Sequence, residues 1–217
     1  IGTDLSGNLA VGNNLGGVAI HAGAQFNIVG TNADGVDDAL EGNVISASGV
    51  YSGLDIFDPG TDHNTVAGNL IGTNITGTAT LGNNAHGIAF YNGASFNVIG
   101  GSIAEARNVI SGNSFNGIVL FDADTRENRI SGNKIGTDET GRFDLGNGSN
   151  GVHVVRALGT IIGTDGDGIG DDLEGNTISG NQGSGILIDG NRQTVDDLSI
   201  AQQLIDGTLP RTVSTGT

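Results

Sequence analysis

Short alternating segments recur along the chain, each built from a glycine, an apolar residue, a variable residue and a second apolar residue. They begin at positions 17, 53, 87, 117, 151 and 185 and read GVAI, GLDI, GIAF, GIVL, GVHV and GILI, in steps of 36, 34, 30, 34 and 34 residues. Alternation with period two over so few residues is typical of a β-strand, since a helix requires a longer segment with a period near 3.6 residues. The pattern therefore predicts one short strand that returns at nearly constant intervals.

Short segments led by asparagine predict further strands within each interval. Three short strands in every coil of 30 to 36 residues predict an all-β fold, a single-stranded parallel β-helix (a solenoid) of about six coils. Like residues of neighbouring coils, about 4.8 Å apart, then stack inside the solenoid. The asparagine-led segments begin at Asn43, Asn97, Asn108, Asn128 and Asn176, and the predicted inward residues are Val18, Ile20, Leu54, Ile56, Ile88, Phe90, Ile118 and Leu120.

Glycine and asparagine explain how such a coil turns its corners. Gly accounts for 40 of the 217 residues, and it adopts left-handed backbone conformations without steric cost. Asn also tolerates the left-handed conformation, and its amide can hydrogen-bond to the Asn of the next coil. We therefore expect most of these residues to build corners and ladders.

A longer repeat supports this fold and resembles a known group of proteins. IGTDLSGNLAVGN at Ile1 recurs as IGTNITGTATLGN at Ile71 and IGTDETGRFDLGN at Ile135. The Asn-x-Ile-x-Gly-Asn and Gly-Ile-x-Ile patterns resemble the right-handed parallel β-helix repeat proteins of the pectate-lyase-like superfamily, and the longer unit resembles repeats of large secreted or surface-attached bacterial proteins. The resemblance implies a right-handed β-helix at 1–195 in an extracellular or cell-surface protein. Because residue 1 lies within a repeat, we expect a segment of a longer protein, and the failure of the repeat after Val195 predicts a C-terminal cap or linker at 196–217.

Composition excludes several classes of protein. The glycines follow no three-residue period, which excludes collagen, and the lack of cysteine excludes disulfides and thiolate metal ligands. With 8 basic against 24 acidic residues and a net charge of −16, we expect no nucleic-acid partner, because binding phosphates requires Lys and Arg. Apolar runs are only a few residues long, so we also expect no membrane insertion.

Two acidic insertions at equivalent places in the repeat are candidate calcium loops. Positions 30–43 read GTNADGVDDALEGN, and positions 163–176 read GTDGDGIGDDLEGN. Carboxylate and amide oxygens with intervening glycines suit a hard cation such as Ca²⁺, although a solvated loop whose Asp and Gly merely favour turns is the alternative. The predicted calcium ligands are Asn32, Asp34, Asp37 and Asp38 in the first loop and Asp165, Asp167, Asp171 and Asp172 in the second.

An aromatic strip follows the first strand of successive coils. If the coils stack in register, the rings of His21, Phe57, Tyr91 and Phe121 form a ladder on one face. Rings flanked by carboxylates and amides are candidate contacts for a polysaccharide or cell-surface glycan. The alternative is a purely structural stack of like residues.

Candidate catalytic residues are scattered. The stretch FDPGTDH at 57–63 resembles the Asp-Pro-His stretch of alginate epimerases, but three residues separate its proline from its histidine. Asp55 is the clearest outward Asp of the first-strand series, and no acid/base pair follows from spacing alone. The candidate catalytic residues of an enzyme on this scaffold are Asp55, Asp58, Asp62, His63 and Arg126.

The sequence therefore favours a non-catalytic extracellular scaffold of a bacterial surface or adhesin-like protein, with calcium and glycan binding as accompanying predictions. The alternative is a carbohydrate-active enzyme, a polysaccharide lyase or epimerase before a hydrolase, that uses the aromatic and acidic face. Exposed strand edges at the ends of a solenoid also predict end-to-end self-association.

Overall fold

The computed structural model describes residues 1–190, which form a parallel β-solenoid with three sheets. The predicted cap or linker at 196–217 lies outside the described residues. The first sheet consists of β1 (Val18–Ile20), β4 (Leu54–Phe57), β7 (Ile88–Tyr91), β10 (Ile118–Phe121), β13 (Val152–Val155) and β16 (Ile186–Asp189). The second consists of β2 (Ile28–Gly30), β5 (Thr65–Ala67), β8 (Val98–Gly100), β11 (Arg129–Ser131) and β14 (Ile161–Ile162). The third consists of β3 (Val44–Ile45), β6 (Leu70–Ile71), β9 (Val109–Ile110), β12 (Lys134–Ile135) and β15 (Thr177–Ile178).

Every strand pairs in parallel with its counterpart in the next coil, which confirms the predicted fold class. In the first sheet, for example, Leu54 lies opposite Ile88 and Ile118 lies opposite Val152. The solenoid has about five turns, one fewer than expected. The sequence count was based on the first sheet, and the sixth strand of that sheet, β16, opens a turn that residues 1–190 do not complete.

Helical structure is nearly absent from the described part of the chain. It consists of two short 3₁₀ turns, Asp38–Leu40 and Ala104–Ala106, both in corner loops. Within residues 1–190, no helix has the length and apolar character needed to cross a membrane.

The core is a continuous stack of apolar side chains along the solenoid axis. Ile20 is 7 % exposed, and Val18, at the first coil, is only partly buried and packs against the core. The other predicted inward residues are fully buried, which confirms the alternation read from the sequence; they are Leu54, Ile56, Ile88, Phe90, Ile118 and Leu120. Burial of such side chains contributes about 1.5–3 kcal/mol each, so the stack is the main source of stability.

Asparagine ladders run through the corners, as predicted. In the corner between the second and third sheets, Asn69 donates from its backbone N and its Nδ2 to Oδ1 of Asn108, at 2.9 and 3.1 Å. Asn108 repeats the pattern with Asn133, at 3.3 and 2.9 Å. Further ladders follow the same rule: Asn27, Asn64, Asn97 and Asn128; Asn83, Asn113, Asn147 and Asn181; and Asn116 and Asn150.

At several corners the left-handed backbone lies one residue before the ladder asparagine and not on it. Gly132, with φ of 72°, precedes Asn133, and Gly112, with φ of 77°, precedes Asn113. At these two corners glycine makes the turn, and the asparagine that follows makes the bonds between coils. This division explains why the sequence repeats Gly-Asn as a pair.

Long loops alternate between two corners of the solenoid. In the first, third and fifth coils, the long connection joins the second and third sheets, at 31–43, 101–108 and 163–176. In the second and fourth coils, it joins the third and first sheets, at 72–87 and 136–151. The loops at the latter corner contact each other, since Ile75 N donates to Gly7 O at 3.0 Å and Glu139 N donates to Gly77 O at 2.9 Å. The longer sequence unit is therefore a two-coil repeat.

Candidate functional site

Three rings of the predicted aromatic strip stack, and the fourth does not. The ring centroids of His21 and Phe57 are 4.9 Å apart, and those of Phe57 and Tyr91 are also 4.9 Å apart, with interplanar angles of 2° and 5°. Phe121 instead packs edge-on against His86, at 6.1 Å. His86 precedes β7 and accepts a hydrogen bond from Asn116 N at 3.2 Å. The four-ring ladder expected from the sequence is thus wrong at Phe121, because that ring packs against His86 and not against Tyr91.

The state of His86 fits this packing role. Desolvation, with a smaller contribution from His153, lowers the pKa of His86 to about 4. The ring is therefore neutral at neutral pH and leaves its Nδ1 free to accept the Asn116 bond. A neutral, hydrogen-bonded imidazole beside phenylalanines is a packing element.

Stacking decides which ring faces remain open to a ligand. Both faces of Phe57 are covered, by His21 and by Tyr91. Because Phe121 turns away, one face of Tyr91 has no ring partner among residues 1–190. Tyr51, which is 54 % exposed, likewise joins no ring pair in that part of the chain. Tyr91 and Tyr51, the latter outside the predicted strip, therefore each have a ring face without an aromatic partner among the described residues, as does His21.

A cavity of about 520 Å³ lies between these tyrosines on the outer face of the first sheet. Asp55 is at its floor, in register with Ala19 on one side and Ala89 on the other. Its side chain is largely shielded, since the residue is only 8 % exposed. The lining of the cavity consists of Leu15, Gly16, Gly17, Val18, Ala19, Tyr51, Asp55, Phe57 and Tyr91. Its volume falls within the range of small-ligand sites.

The electrostatics of this groove are set by one buried carboxyl group. Desolvation raises the pKa of Asp55, and the neighbouring Ser52 hydroxyl and backbone oppose that rise. Desolvation also raises the pKa of Tyr91 to about 12, with contributions from the negative charges of Asp55 and Asp58. None of the ion pairs among residues 1–190 includes Asp55. The groove therefore holds a negative charge that lacks a cationic partner in the described chain.

Two of the candidate catalytic acids, Asp58 and Asp62, accept hydrogen bonds from turns of neighbouring coils. Asp58 accepts hydrogen bonds from Ala22 N at 3.2 Å and from Asn92 Nδ2 at 2.7 Å. Asp62 accepts one from Ser95 N at 3.0 Å. Both carboxylates thus join turns of neighbouring coils and do not line the cavity around Asp55.

His63 and Arg126 are also placed apart from Asp55. The His63 ring stacks between Phe26 and Phe96, with centroid distances of 5.2 and 5.4 Å. Arg126 lies 3.4 Å from Asp124 in an exposed ion pair. The proposed catalytic set is therefore dispersed, and only Asp55 lies in a cavity.

This second ring stack was missed by the sequence reasoning, although the sequence carries a signal for it. Phe26, His63 and Phe96 each come directly before a ladder asparagine. All three adopt left-handed backbone, with φ between 56° and 58°. The ring position is therefore fixed by the same corner that places the ladder.

Asp138, the aspartate in the third copy of the longer repeat unit, holds its own corner loop together by hydrogen bonds. Asp138 Oδ1 accepts hydrogen bonds from Arg142 N at 2.9 Å and Phe143 N at 3.0 Å. Asp4 and Asn74 bind their own loops in the same way. Although desolvation acts against it, hydrogen bonding led by the Phe143 amide lowers the pKa of Asp138 to about 2. This acid has a structural role.

In the first acidic loop, the predicted calcium ligands largely bind the loop itself. Asp38 accepts hydrogen bonds from Thr31 Oγ1 and Gly35 N, both at 3.0 Å. Asp34 accepts from Val36 N at 2.9 Å and from Asn32 Nδ2 at 3.1 Å. The fourth predicted ligand, Asp37, adopts left-handed backbone with φ of 56°.

The second acidic loop brings three carboxylates together. Asp165, Asp171 and Glu174 place oxygen atoms within 4.8 Å of one another, which is close enough to hold a metal ion. Arg129, from the preceding coil, forms ion pairs with both Asp165 and Glu174. Sequence reasoning missed Glu174 and Arg129, and two of its predicted ligands, Asp167 and Asp172, lie outside this cluster.

A larger cleft, of about 640 Å³, lies between the two stacks of corner loops, over the third sheet. Its apolar lining includes Leu40, Leu70 and Ile75. Its one lysine, Lys134, is already paired with Glu139 at 3.3 Å. Arg107 and Glu105 also line it, so the cleft carries charges of both signs, whereas Asp55 is the only charged residue among residues 1–190 that lines the groove over the first sheet.

Comparisons of the chain with models of known protein families, with curated proteins and with solved structures gave no match.

Proposed function

We propose that this chain is a non-catalytic scaffold, a stiff β-solenoid segment that presents an aromatic face to glycans. The observation that carries the proposal is that acids suited to chemistry are hydrogen-bonded into equivalent turns of successive coils. Asp58 accepts from Ala22 N, and Asp122 accepts from Asn92 N at 2.9 Å in a later coil. An enzyme on this fold would need such groups to converge over one site.

The proposed setting is the outside of a bacterial cell, on an exported or surface-attached protein of the adhesin type. Support for the setting comes from the resemblance of the two-coil repeat to those of large secreted and surface proteins. Support for glycan contact comes from Tyr51 and Tyr91, which both line a groove over the first sheet. Aromatic faces beside hydrogen-bonding groups suit the mixed apolar and polar surface of a sugar.

We expect the purified chain to bind neutral or amino-containing glycans on an array and to leave every bound polysaccharide intact. Tyr91→Ala and Tyr51→Ala should each weaken binding about tenfold, which corresponds to about 1.4 kcal/mol. Phe96→Ala, in the second ring stack, is the matched control and should leave affinity unchanged. Titration calorimetry measures the affinities, and reducing-end and unsaturated-sugar assays measure cleavage. Equal losses in all three variants, or an array without binding, would contradict the glycan-binding proposal.

The alternative function is a carbohydrate-active enzyme, and one observation favours it. A shielded carboxyl group with a raised pKa, such as that of Asp55, is the type of group that glycosidases use as a general acid. The appearance of cleavage products that disappear in Asp55→Asn would establish this alternative in place of the scaffold.

Calcium binding at the second acidic loop stays a prediction, and the structure sharpens its test. Excess Ca²⁺ should raise the melting temperature above that in matched sodium, because an ion bound only to the folded state stabilises it. The rise should vanish in Asp165→Asn with Asp171→Asn, and persist in the control Asp167→Asn with Asp172→Asn, whose residues lie outside the cluster. Arg129→Gln should enlarge it, because the guanidinium competes for two of the three carboxylates. An identical response in the two double variants would exclude this site.

A further inference from the structure

We propose that the groove over β1 and β4 is a binding site for an amino sugar, whose ammonium group pairs with Asp55. The inference rests on the proposed glycan-binding function and names the class of sugar that the groove selects. Asp58 and Asp62 accept hydrogen bonds from turns. Asp55 is the one candidate catalytic acid that lines this cavity.

The floor of the groove leaves the carboxylate open in one direction. Ala19 and Ala89, its neighbours in register, are small, and Ala89 is 3 % exposed. On the side of the first coil, Gly16 contributes no side chain, and a β-carbon placed there would lie 3.5 Å from Asp55 Oδ2. A ligand group that enters the cavity therefore reaches the carboxylate between glycine and alanine backbones.

The charge of the groove is uncompensated. Asp55 is more than nine-tenths buried, and no Lys, Arg or His among residues 1–190 pairs with it. Asp58 adds a second negative charge that acts on Tyr91. Ser52 is the neighbour that stabilises this carboxylate by hydrogen bonding, but a buried charge without a cationic partner is still costly, so a ligand cation that enters the groove gains a charge-assisted hydrogen bond and reduces that cost. Uronic acids, in contrast, would be repelled.

The walls favour a sugar over a simple ammonium ion. Tyr51 and Tyr91 both line this cavity and bring two hydroxyl groups and aromatic surface to it. Phenol hydroxyls both donate and accept, as the ring hydroxyls of a sugar require, and tyrosine faces also attract an ammonium group. The side chain of a lysine would engage the charge and leave the hydroxyls of the groove without partners.

Calorimetry with three matched oligosaccharides tests the inference: a β-1,4-linked glucosamine oligomer, its N-acetylated form and the glucose oligomer. We expect the glucosamine oligomer to bind about tenfold more tightly than the other two. That difference corresponds to about 1.4 kcal/mol, close to the lower end of the contribution of a hydrogen bond to a charged group. Asp55→Asn should remove that preference while weak binding of the neutral oligomers persists. Ala19→Leu should reduce binding of all three, because it fills the cavity and leaves the charge in place.

A pH titration supplies an independent readout. The affinity for the glucosamine oligomer should fall as pH is lowered through the raised pKa of Asp55, because protonation removes the charge that the ammonium group needs. The groups that face Asp55 are Tyr51, Tyr91 and, farther along the turn, Asp58; Tyr91 stays neutral throughout, since its pKa is about 12. Binding by Asp55→Asn should lack this acid limb.

The possible outcomes distinguish a failure of the amino-sugar inference from a failure of the glycan-binding proposal. Equal affinity for all three oligomers would overturn the amino-sugar inference and leave the glycan-binding scaffold standing. An absence of binding to any of them, together with an empty array, would overturn both. A lysine oligomer that binds as tightly as the glucosamine oligomer would replace the sugar with a basic peptide. Asp55→Asn is expected to fold, and its melting temperature at neutral pH should exceed that of the parent, because it removes a carboxylate whose raised pKa costs stability above acidic pH.

Discussion

Asn108→Ala is expected to destabilise the solenoid by about 4 kcal/mol or more, a large share of the 5–15 kcal/mol that stabilises a typical domain. The side chain of Asn108 accepts from Asn69 N and Nδ2 and donates to Asn133 Oδ1 and Val66 O, at distances of 2.8 to 3.1 Å. Alanine removes all four bonds at once in a fully buried corner. A buried polar group left without a partner costs about 1–3 kcal/mol, and several are left here.

Chemical denaturation followed by circular dichroism measures this loss. The matched control is Asn84→Ala, because Asn84 is exposed and donates one side-chain bond, to Gly49 O at 2.9 Å. It should lose no more than about 1 kcal/mol. Similar losses in the two variants would mean that the ladder adds little beyond ordinary surface hydrogen bonding. Asn108→Asp should be at least as damaging as alanine, since it places a carboxylate against the carbonyl oxygens that Nδ2 now binds.

Gly100→Ala is expected to cost about 2–5 kcal/mol and to prevent folding if the margin is small. Gly100 ends β8 with φ of 89°, a conformation that costs a residue with a β-carbon about 1–2 kcal/mol. The new methyl group would also overlap Ser131 O of the next coil and crowd the ladder residue Asn133. Overpacking of this kind adds about 1–3 kcal/mol, because the backbone of the neighbouring coil has to move.

Gly166→Ala separates the two contributions. Gly166 has a similar left-handed backbone, with φ of 73°, but nothing lies within 4 Å of a β-carbon built there. We expect a loss of about 1–2 kcal/mol from the backbone conformation alone. The difference between the two variants in the same denaturation experiment measures the contact between coils. If the losses are equal, the close approach of adjacent coils at Gly100 has no energetic weight.

Features of this molecule that depend on repetition were predictable from its sequence. The period of the Gly-apolar-x-apolar segments placed β4, β7 and β10 in register, and the recurrence of Asn-led segments predicted the ladders. Both work because a solenoid brings equivalent positions of successive coils together, so that spacing in the sequence becomes proximity in space.

Features that depend on a single side chain were not predictable. Phe121 leaves the strip because His86 offers it another partner, and that choice depends on a residue that breaks the repeat. Arg129 is likewise a departure, since the equivalent residues of β5 and β8 are Thr65 and Val98. Its ion pairs join a loop to the preceding coil. The groove at Asp55 was missed for a related reason, because Tyr51 lies outside the strand pattern that the sequence made visible.

The alternation of long loops between two corners has a consequence for engineering. Each loop at a given corner is separated from the next by two coils, which is about 10 Å along the axis. That height is close to the 10–12 Å diameter of a helix with its side chains. The native loops of one row already contact each other across this spacing, as Gly77 O and Glu139 N do, so a peptide grafted into 74–80 would have to replace those contacts. Used as a ruler, the solenoid would display inserted epitopes at fixed intervals of two coils, in two rows along its length.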